Sequence, residues 1–409
     1  MSPGSALFLV EDLSVPLNRR VWQECVALRR AGFEVAVVCP KGQKHDRDAF
    51  ELKDGVKIHR YPLAPATGGP GGYVREYGAA LWRTRRLVRK LAAEQSFDVV
   101  HACNPPDLLL LAALSLKRKG ARFIFDHHDL VPELYLSRFG RGRDLLYRLT
   151  LLLERLTFRL ADVVISTNES YRAVALSRGG KHPEDVFVVR SAPDLSRFRP
   201  VEPDPELKGG RPHLISYLGV MGPQDGVDHA LRALALLREL RRDWHAVFIG
   251  EGDVYPRMRA LARELELDDA VEFTGRIPDE DVARILSSSD VCIAPDPKNP
   301  LNDVSTMNKI VEYMAMSRPI VAYDLVEARV SAGAAAVYAE PNDEPSFAIR
   351  ISELLDDPAR RQEMGRVGRS RVETALSWEH SERALLAAYE RALRTDAARS
   401  PLAVGEAAR

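Results

Sequence analysis

Two short turns in the second half of the chain carry glycine where a strand-like run meets a helix-like one. They are Leu218-Gly219-Val220-Met221-Gly222 and Phe248-Ile249-Gly250-Glu251-Gly252. Such turns let backbone N–H groups approach a phosphate or sugar, and a helix N-terminus adds a favourable field. Ordinary turn chemistry also places glycine after a strand, so each turn carries that alternative. Asp126-His127-His128-Asp129 follows another apolar run and sets two histidines between two acids. Neighbouring side chains on an extended chain point to opposite faces, a poor arrangement for joint ligation, so no metal is expected. Asp46-Arg47-Asp48 has the form of a paired-carboxylate metal motif, but it lies in a polar loop and is expected to be solvated. Arg19 and Arg20 stand at a helix start, where they suit an anion or a solvated face. Between Arg75 and Lys90 there are six basic residues and one acid, Glu76. A basic amphipathic helix of that kind can lie on an anionic membrane or form a solvated outer face.

These residues need elements to hold them. Short apolar runs alternate with amphipathic stretches, which is the pattern of βα units and a parallel sheet. Strands are expected at Ala6–Val10, Glu34–Cys39, Val56–Tyr61, Phe97–His101, Arg122–Asp126, Asp162–Ser166 and Val186–Val189. Helices are expected at Arg19–Ala31, Arg75–Gln95, Pro106–Lys119, Leu145–Leu160 and Ser170–Arg178. Thr67–Gly72 reads as a flexible glycine loop, and the proline-rich Ser191–Arg211 as an interdomain linker. The alternation then restarts, with strands at Leu214–Leu218, His245–Ile249, Val271–Phe273, Val291–Ala294, Ile320–Ala322 and Ala335–Tyr338. Its helices are Val227–Leu240, Tyr255–Glu266, Asp279–Ser287, Thr306–Met316, Ser346–Asp356, Pro358–Ala375 and Ser377–Leu393. The expected architecture is α/β, with two Rossmann-like domains facing across a cleft. Ligands of such sheets bind at the carboxyl ends of the strands.

The order of motifs is similar to that of the retaining nucleotide-sugar glycosyltransferases of family four, which have the GT-B fold. The resemblance runs from Leu7 to about Arg394. It rests on Ala161-Asp162-Val-Val-Ile-Ser166, on Val188 through Pro200, on Thr274-Gly275-Arg276, and on Glu312-Tyr313-Met314-Ala315 with Pro319-Ile320-Val321-Ala322. It implies an acceptor-side domain over 1–195, a donor domain over 196–376, a C-terminal helix over 377–395 packing back on the first domain, and a disordered tail over 396–409. Glu312 matches the carboxylate that accepts hydrogen bonds from the donor ribose. A carboxylate suits a vicinal diol because it offers two acceptor oxygens. Gly275, Arg276 and Ile277 match the segment framing the nucleobase. Ser305, Thr306, Met307, Asn308 and Lys309 match the helix start beneath the diphosphate and sugar, and Gly219, Gly250 and Gly252 complete the donor set. His128 matches a cleft histidine near the transferred sugar, with Asp129, Arg19 and Arg20 on the acceptor or phosphate side. The family's acid eight positions before Glu312 is here Val304, so neighbouring Asp303 is expected to take its contact. The family's Arg and Lys near the diphosphate read here as Val220 and Gln224-Asp225. Lys309 is the first candidate to replace them, followed by Arg276 and Arg318. The family's glycine pair after the first strand is absent from Glu11–Arg20.

The chain has 409 residues, with Lys+Arg and Asp+Glu both 58 and a net charge of zero, so a duplex-binding role is not expected. Hydrophobic residues are 45% and charged residues 28%, an ordinary globular composition that excludes a disordered or collagen-like chain. Cys25, Cys39, Cys103 and Cys292 form no CxxC pair and read as buried thiols of a reducing compartment. No apolar run reaches membrane-span length, and Met1–Val10 lacks a basic leader region. A cytoplasmic protein is expected, with attachment to the inner membrane face through 75–90 open. The implied reaction is hexosyl transfer, retaining and metal-independent, from a nucleotide-diphosphate sugar as co-substrate. The acceptor is a lipid-linked intermediate, a polysaccharide or a small natural product, with nucleic acid excluded. Two alternatives are a nucleotide-sugar 2-epimerase, which would need no acceptor, and a non-catalytic partner of another transferase.

Overall fold

The computed structural model describes residues 4–42, 46–64, 69–139 and 142–394. The expected disordered tail and the start of the glycine loop lie outside them. Two compact units emerge, residues 1–189 with 381–409 and residues 190–380.

In the first unit the order is β1 (Ser5–Leu9), α1 (Arg19–Arg30), β2 (Glu34–Pro40), β3 (Phe50–Lys53), β4 (Val56–Tyr61), α2 (Gly69–Glu94), β5 (Val99–Cys103) and α3 (Leu110–Lys117). There follow β6 (Arg122–His127), α4 (Val131–Phe139), α5 (Leu145–Leu160), β7 (Val163–Ser166), α6 (Glu169–Ser177) and β8 (Val186–Val188). The sheet runs β3-β4-β2-β1-β5-β6-β7-β8, with every pair parallel except β3–β4. Its central strands are apolar on both faces because helices cover both. One core joins alternate strand residues (Leu7, Leu9, Val100, Phe123, Phe125) to α2, α3, α5 and α6. Asn18, Asp144 and Asn168 start α1, α5 and α6 by accepting the N–H groups of Val21, Tyr147 and Tyr171.

The second unit contains β9 (His213–Leu218), α7 (Val227–Leu240), β10 (Trp244–Ile249), α8 (Tyr255–Glu264), β11 (Val271–Gly275), α9 (Asp279–Ser288) and β12 (Val291–Ala294). It continues with α10 (Asn308–Ala315), β13 (Ile320–Tyr323), α11 (Val326–Ala332), β14 (Ala336–Ala339), α12 (Glu344–Leu355) and α13 (Pro358–Ala375). Its sheet is wholly parallel, in the order β11-β10-β9-β12-β13-β14. Helix α14 (Trp378–Arg394) begins here and belongs to the first unit from Ser381 onward. Its Tyr389 hydroxyl bonds His101 Nδ1 at 2.9 Å, and Arg391 pairs with Asp185.

Several local expectations are corrected. Ser191–Arg211 is not a free linker: Phe198 is buried in the second core, and the Val201 and Asp204 N–H groups donate to the Ser287 and Ser288 hydroxyls of α9. Proline keeps this strap extended, and the serines satisfy the donors a sheet would have paired. Gly69–Gly72 open α2 rather than a loop. Strand β3 and helices α4 and α11 join the expected elements. Helix α10 starts at Asn308, not Thr306.

In each sheet the strand order reverses at one point, between β1 and β5 in the first and between β9 and β12 in the second. In a doubly wound sheet the crevice for a ligand opens there, beyond the carboxyl ends.

Candidate functional site

At the carboxyl ends of β9, β10 and β11 the loops are stitched together through their backbones. Gly219 N–H donates to Ile249 O, Met221 N–H to Glu251 O, Gly250 N–H to Gly275 O, and Val254 N–H to Met221 O. The glycines are there because nothing larger fits. A Cβ on Gly250, whose φ is +129°, would lie 1.9 Å from Gly219 O, and one on Gly252 would lie 2.5 Å from Met221 O. A Cβ on Gly219 would sit 3.0 Å from the Tyr217 hydroxyl and 3.2 Å from Lys309 Cε. Gly219, Gly250 and Gly252 thus hold a tight backbone platform, and Gly219 also gives passage to a lysine from α10.

That lysine is not a solvated helix residue. Lys309 is 7% exposed; its Nζ lies 2.5 Å from Asp296 Oδ1 and 5.3 Å from the centre of the Tyr217 ring. Burial disfavours its charge, but Asp296 and Asp225 outweigh burial and raise its pKa. Asp296 follows β12, and Gly219 follows β9, so the pair occupies the reversal point of the sheet. Asp225 caps its own turn by accepting the Gly222 N–H at 2.8 Å. Lys309 is thereby corrected as a free cation: its charge is already matched by a carboxylate. Glu312 lies one turn further along α10, half-buried. Tyr313 locks that helix, accepting the Leu218 N–H at 2.7 Å and donating to Ile293 O at 3.1 Å.

The other expected donor residues fall into place around this pair. Ser305 and Thr306 precede the helix; the Ser305 hydroxyl donates to Leu301 O rather than capping α10, and Met307 takes the N-cap position with no side-chain bond. Met307 and Ile277 pack on the apolar core, and Asn308 is exposed. Asp303 sits in a short 3-10 turn, where its Oδ1 accepts the Val326 N–H that starts α11 and lies 3.6 Å from Lys298 Nζ. Arg276, directly after Gly275, is exposed and has no ion-paired or hydrogen-bonded partner among the described residues. Arg318 is corrected as a candidate: it donates to Met316 O and Ser289 O at the amino ends of β12 and β13, the opposite edge of the sheet.

In the first unit the histidines divide as extended geometry requires. His127 is buried against Phe125, Phe158 and Tyr171. His128 turns the other way, with its Nε2 2.5 Å from Asp126 Oδ2 and 2.9 Å from Arg20 Nε. Arg20 also donates to Asp126 Oδ1 at 3.0 Å and Val189 O at 2.7 Å, and lies 3.2 Å from Glu24 Oε1. The expectation that Arg20 binds an exogenous anion is corrected, because two buried carboxylates already hold its guanidinium. Arg19, one residue earlier, is exposed. Burial alone would raise Asp126, but Arg20 and His128 hold its carboxyl well below the usual range. Burial and the Asp126 charge push Glu24 well above it. Glu24, Asp126 and His128 come within ligating distance of one another, as do His101, Cys103 and Asp126. Arg20 takes the cation's position among the carboxylates, and burial keeps the Cys103 thiol protonated. Asn104 fixes the loop by accepting the His128 and Asp129 N–H groups.

Sequence reasoning missed Asp296, Glu24 and His101, since nothing in their own stretches of sequence marks the cluster each one joins. It also passed over Glu11, which closes β1 beside the first sheet's reversal point. Burial, then Glu76 and Asp12, push its carboxyl up to about 8. Asp46 of the expected solvated motif is partly buried, bonded by Ser14 and beside Arg60.

The chain is similar to known proteins in sequence and in fold. Residues 17–192 match the glycosyl transferase 4-like domain and residues 212–357 the glycosyl transferases group 1 domain, between them most of the chain. A 2-deoxystreptamine glucosyltransferase of Streptomyces kanamyceticus is 27% identical over 83% of this chain and 89% of its own. Sucrose-phosphate synthase from Thermosynechococcus elongatus superposes with a TM-score of 0.78 at 20% identity, covering 95% of this chain and 98% of that one. An Anabaena protein solved in complex with UDP-glucose superposes with a TM-score of 0.69 at 15% identity, covering 95% and 99%.

Proposed function

We propose that this chain, a GT-B glycosyltransferase, moves a hexosyl group from a nucleotide-diphosphate sugar to an acceptor hydroxyl with retention of configuration. The observation that carries the reading is the grouping of Glu312, Lys309 and Asp296 at the reversal point of the second sheet, beside the Gly219–Gly250–Gly275 platform. Glu312 accepts hydrogen bonds from the ribose hydroxyls, and the backbone at Gly275 to Ile277 frames the base. The Ser305 and Thr306 hydroxyls and the first N–H groups of α10 meet the diphosphate. Arg276, exposed directly after Gly275, takes the share of the leaving charge that Lys309 cannot give. The leaving diphosphate oxygen accepts the acceptor proton on the face of attack, so the protein's part is positioning and charge stabilisation, without metal.

Pairing of Lys309 with Asp296 favours one second reading, a non-catalytic partner that keeps the fold but has a weakened diphosphate site. One experiment separates the two. Melting of the native protein and of Glu312→Ala is followed with UDP, GDP, dTDP and ADP at about millimolar concentration. A ligand held only by the folded state raises the midpoint; at a hundred times its Kd the gain is about 2.7 kcal/mol. One nucleotide should shift the native protein and leave the variant unmoved. No shift with any nucleotide would favour the second reading, and equal shifts in both proteins would remove Glu312 from the site.

A further inference from the structure

Helix α5 presents an outer face made of only two residue types. Leu145, Leu149, Leu152 and Leu156 are 80, 46, 52 and 39% exposed, spaced 4, 3 and 4 residues apart along one stripe. The other exposed positions of the helix are Arg148, Arg155 and Arg159, none of which has a partner among the described residues. The inner face is anchored by Tyr147, Thr157 and Phe158 and by Glu154, the helix's single acid, which is fully buried against Arg178. The stripe is therefore not a core face left open by misplacement; the helix has a second face that serves the same unit.

Helix α2 carries a surface of similar composition. Helices α2 and α5 pack on one apolar core and so lie in the same layer of the first unit. Trp82 and Val74 of α2 are 62 and 61% exposed. A surface groove of about 500 Å³ runs along α2, lined by Leu81, Trp82, Arg85, Arg86 and Arg89. A soluble surface does not ordinarily collect this much exposed Leu and Trp without a use for it.

We propose that the outer face of α5, with the Trp82–Arg89 part of α2 on the same side of the sheet, seats the protein on an anionic lipid surface. Leucines and the indole enter the headgroup boundary while the arginines meet lipid phosphates, the chemistry of an interfacial helix. Charge selects this occupant over a second copy of the chain. Two α5 faces brought together would set Arg148, Arg155 and Arg159 against the same arginines with no acid between them. The inference stands apart from the donor-site reading, since no residue of that site is in the first unit.

Co-sedimentation of the full chain tests it, with vesicles of phosphatidylcholine alone and with about one-third phosphatidylglycerol. The protein should bind the anionic vesicles, and added salt should release it. Leu149→Glu with Leu152→Glu should lower binding at least about tenfold at an unchanged melting temperature, because both positions are exposed. Arg148→Gln with Arg155→Gln, which cannot unfold a core, should remove most of the salt-sensitive part. No binding to anionic vesicles, equal binding to both compositions, or full binding by both double variants would overturn the proposal. So would a dimer that forms without lipid and dissociates in the leucine variant, which would assign the face to a second copy.

Discussion

Lys309 and Asp296 show how one buried pair changes the meaning of a residue. From its neighbours, Lys309 reads as a cation available to a diphosphate; the fold gives it a carboxylate 2.5 Å away. Breaking a buried pair leaves one charge without compensation and costs about 3–5 kcal/mol, whereas removing both charges costs far less. Lys309→Met should therefore lower unfolding free energy by about 3 kcal/mol in urea, and Lys309→Met with Asp296→Leu should recover most of it. A single variant as stable as the native chain would mean that the pair contributes nothing. Glu312 stands out in the sequence as a candidate because it lies in a recognisable run on a short apolar helix. Asp296 does not, because its role exists only where β12 ends beside β9.

Elements were legible wherever hydrophobic period and length agreed, as in α5 and β7. Strand β3 was missed although Lys53-Asp54-Gly55-Val56 is a two-residue hairpin turn with both central φ positive. Its exposed Phe50 and Leu52 give no buried face to read. The glycine turns were legible as turns, but their reason was not. Two loops distant in sequence meet there, and Gly250 is required by the carbonyl of Gly219. Gly250→Ala combines that collision with a positive φ and should destabilise by about 3 kcal/mol. Gly78→Ala, in α2 with nothing near its missing Cβ, should instead stabilise by about 0.5–1 kcal/mol. Equal melting shifts for the two variants would contradict this account.

At the scale of the molecule, two buried acids of the first unit set a pH dependence. Burial pushes both Glu11 and Asp107 up to about 8, from ordinary values of 4.5 and 3.8. Between those limits the folded chain binds protons that the unfolded chain has lost, so stability falls as pH rises through the window and levels off above it. Glu11→Gln, which cannot ionise, should melt several degrees above the native chain near pH 8.5 and with it near pH 4.5. An equal difference at both pH values would show that Glu11 is not titrating in this window. Among the described residues no helix is long and apolar enough to cross a membrane.

The amino-acid sequence by itself determined the two α/β halves and all their strands but β3, and its motifs pointed to a GT-B glycosyltransferase. Hydrophobic period, glycine position and short motifs are local, and local signals survive in one dimension. Only the tertiary structure decided which charges are free. It joined Arg20 to Asp126, Lys309 to Asp296, and Tyr389 to His101. Each pairing links segments distant in sequence or opposed across a loop, and a buried charge takes whichever partner the sheet order brings within about 3 Å, because in a low dielectric no other arrangement is affordable.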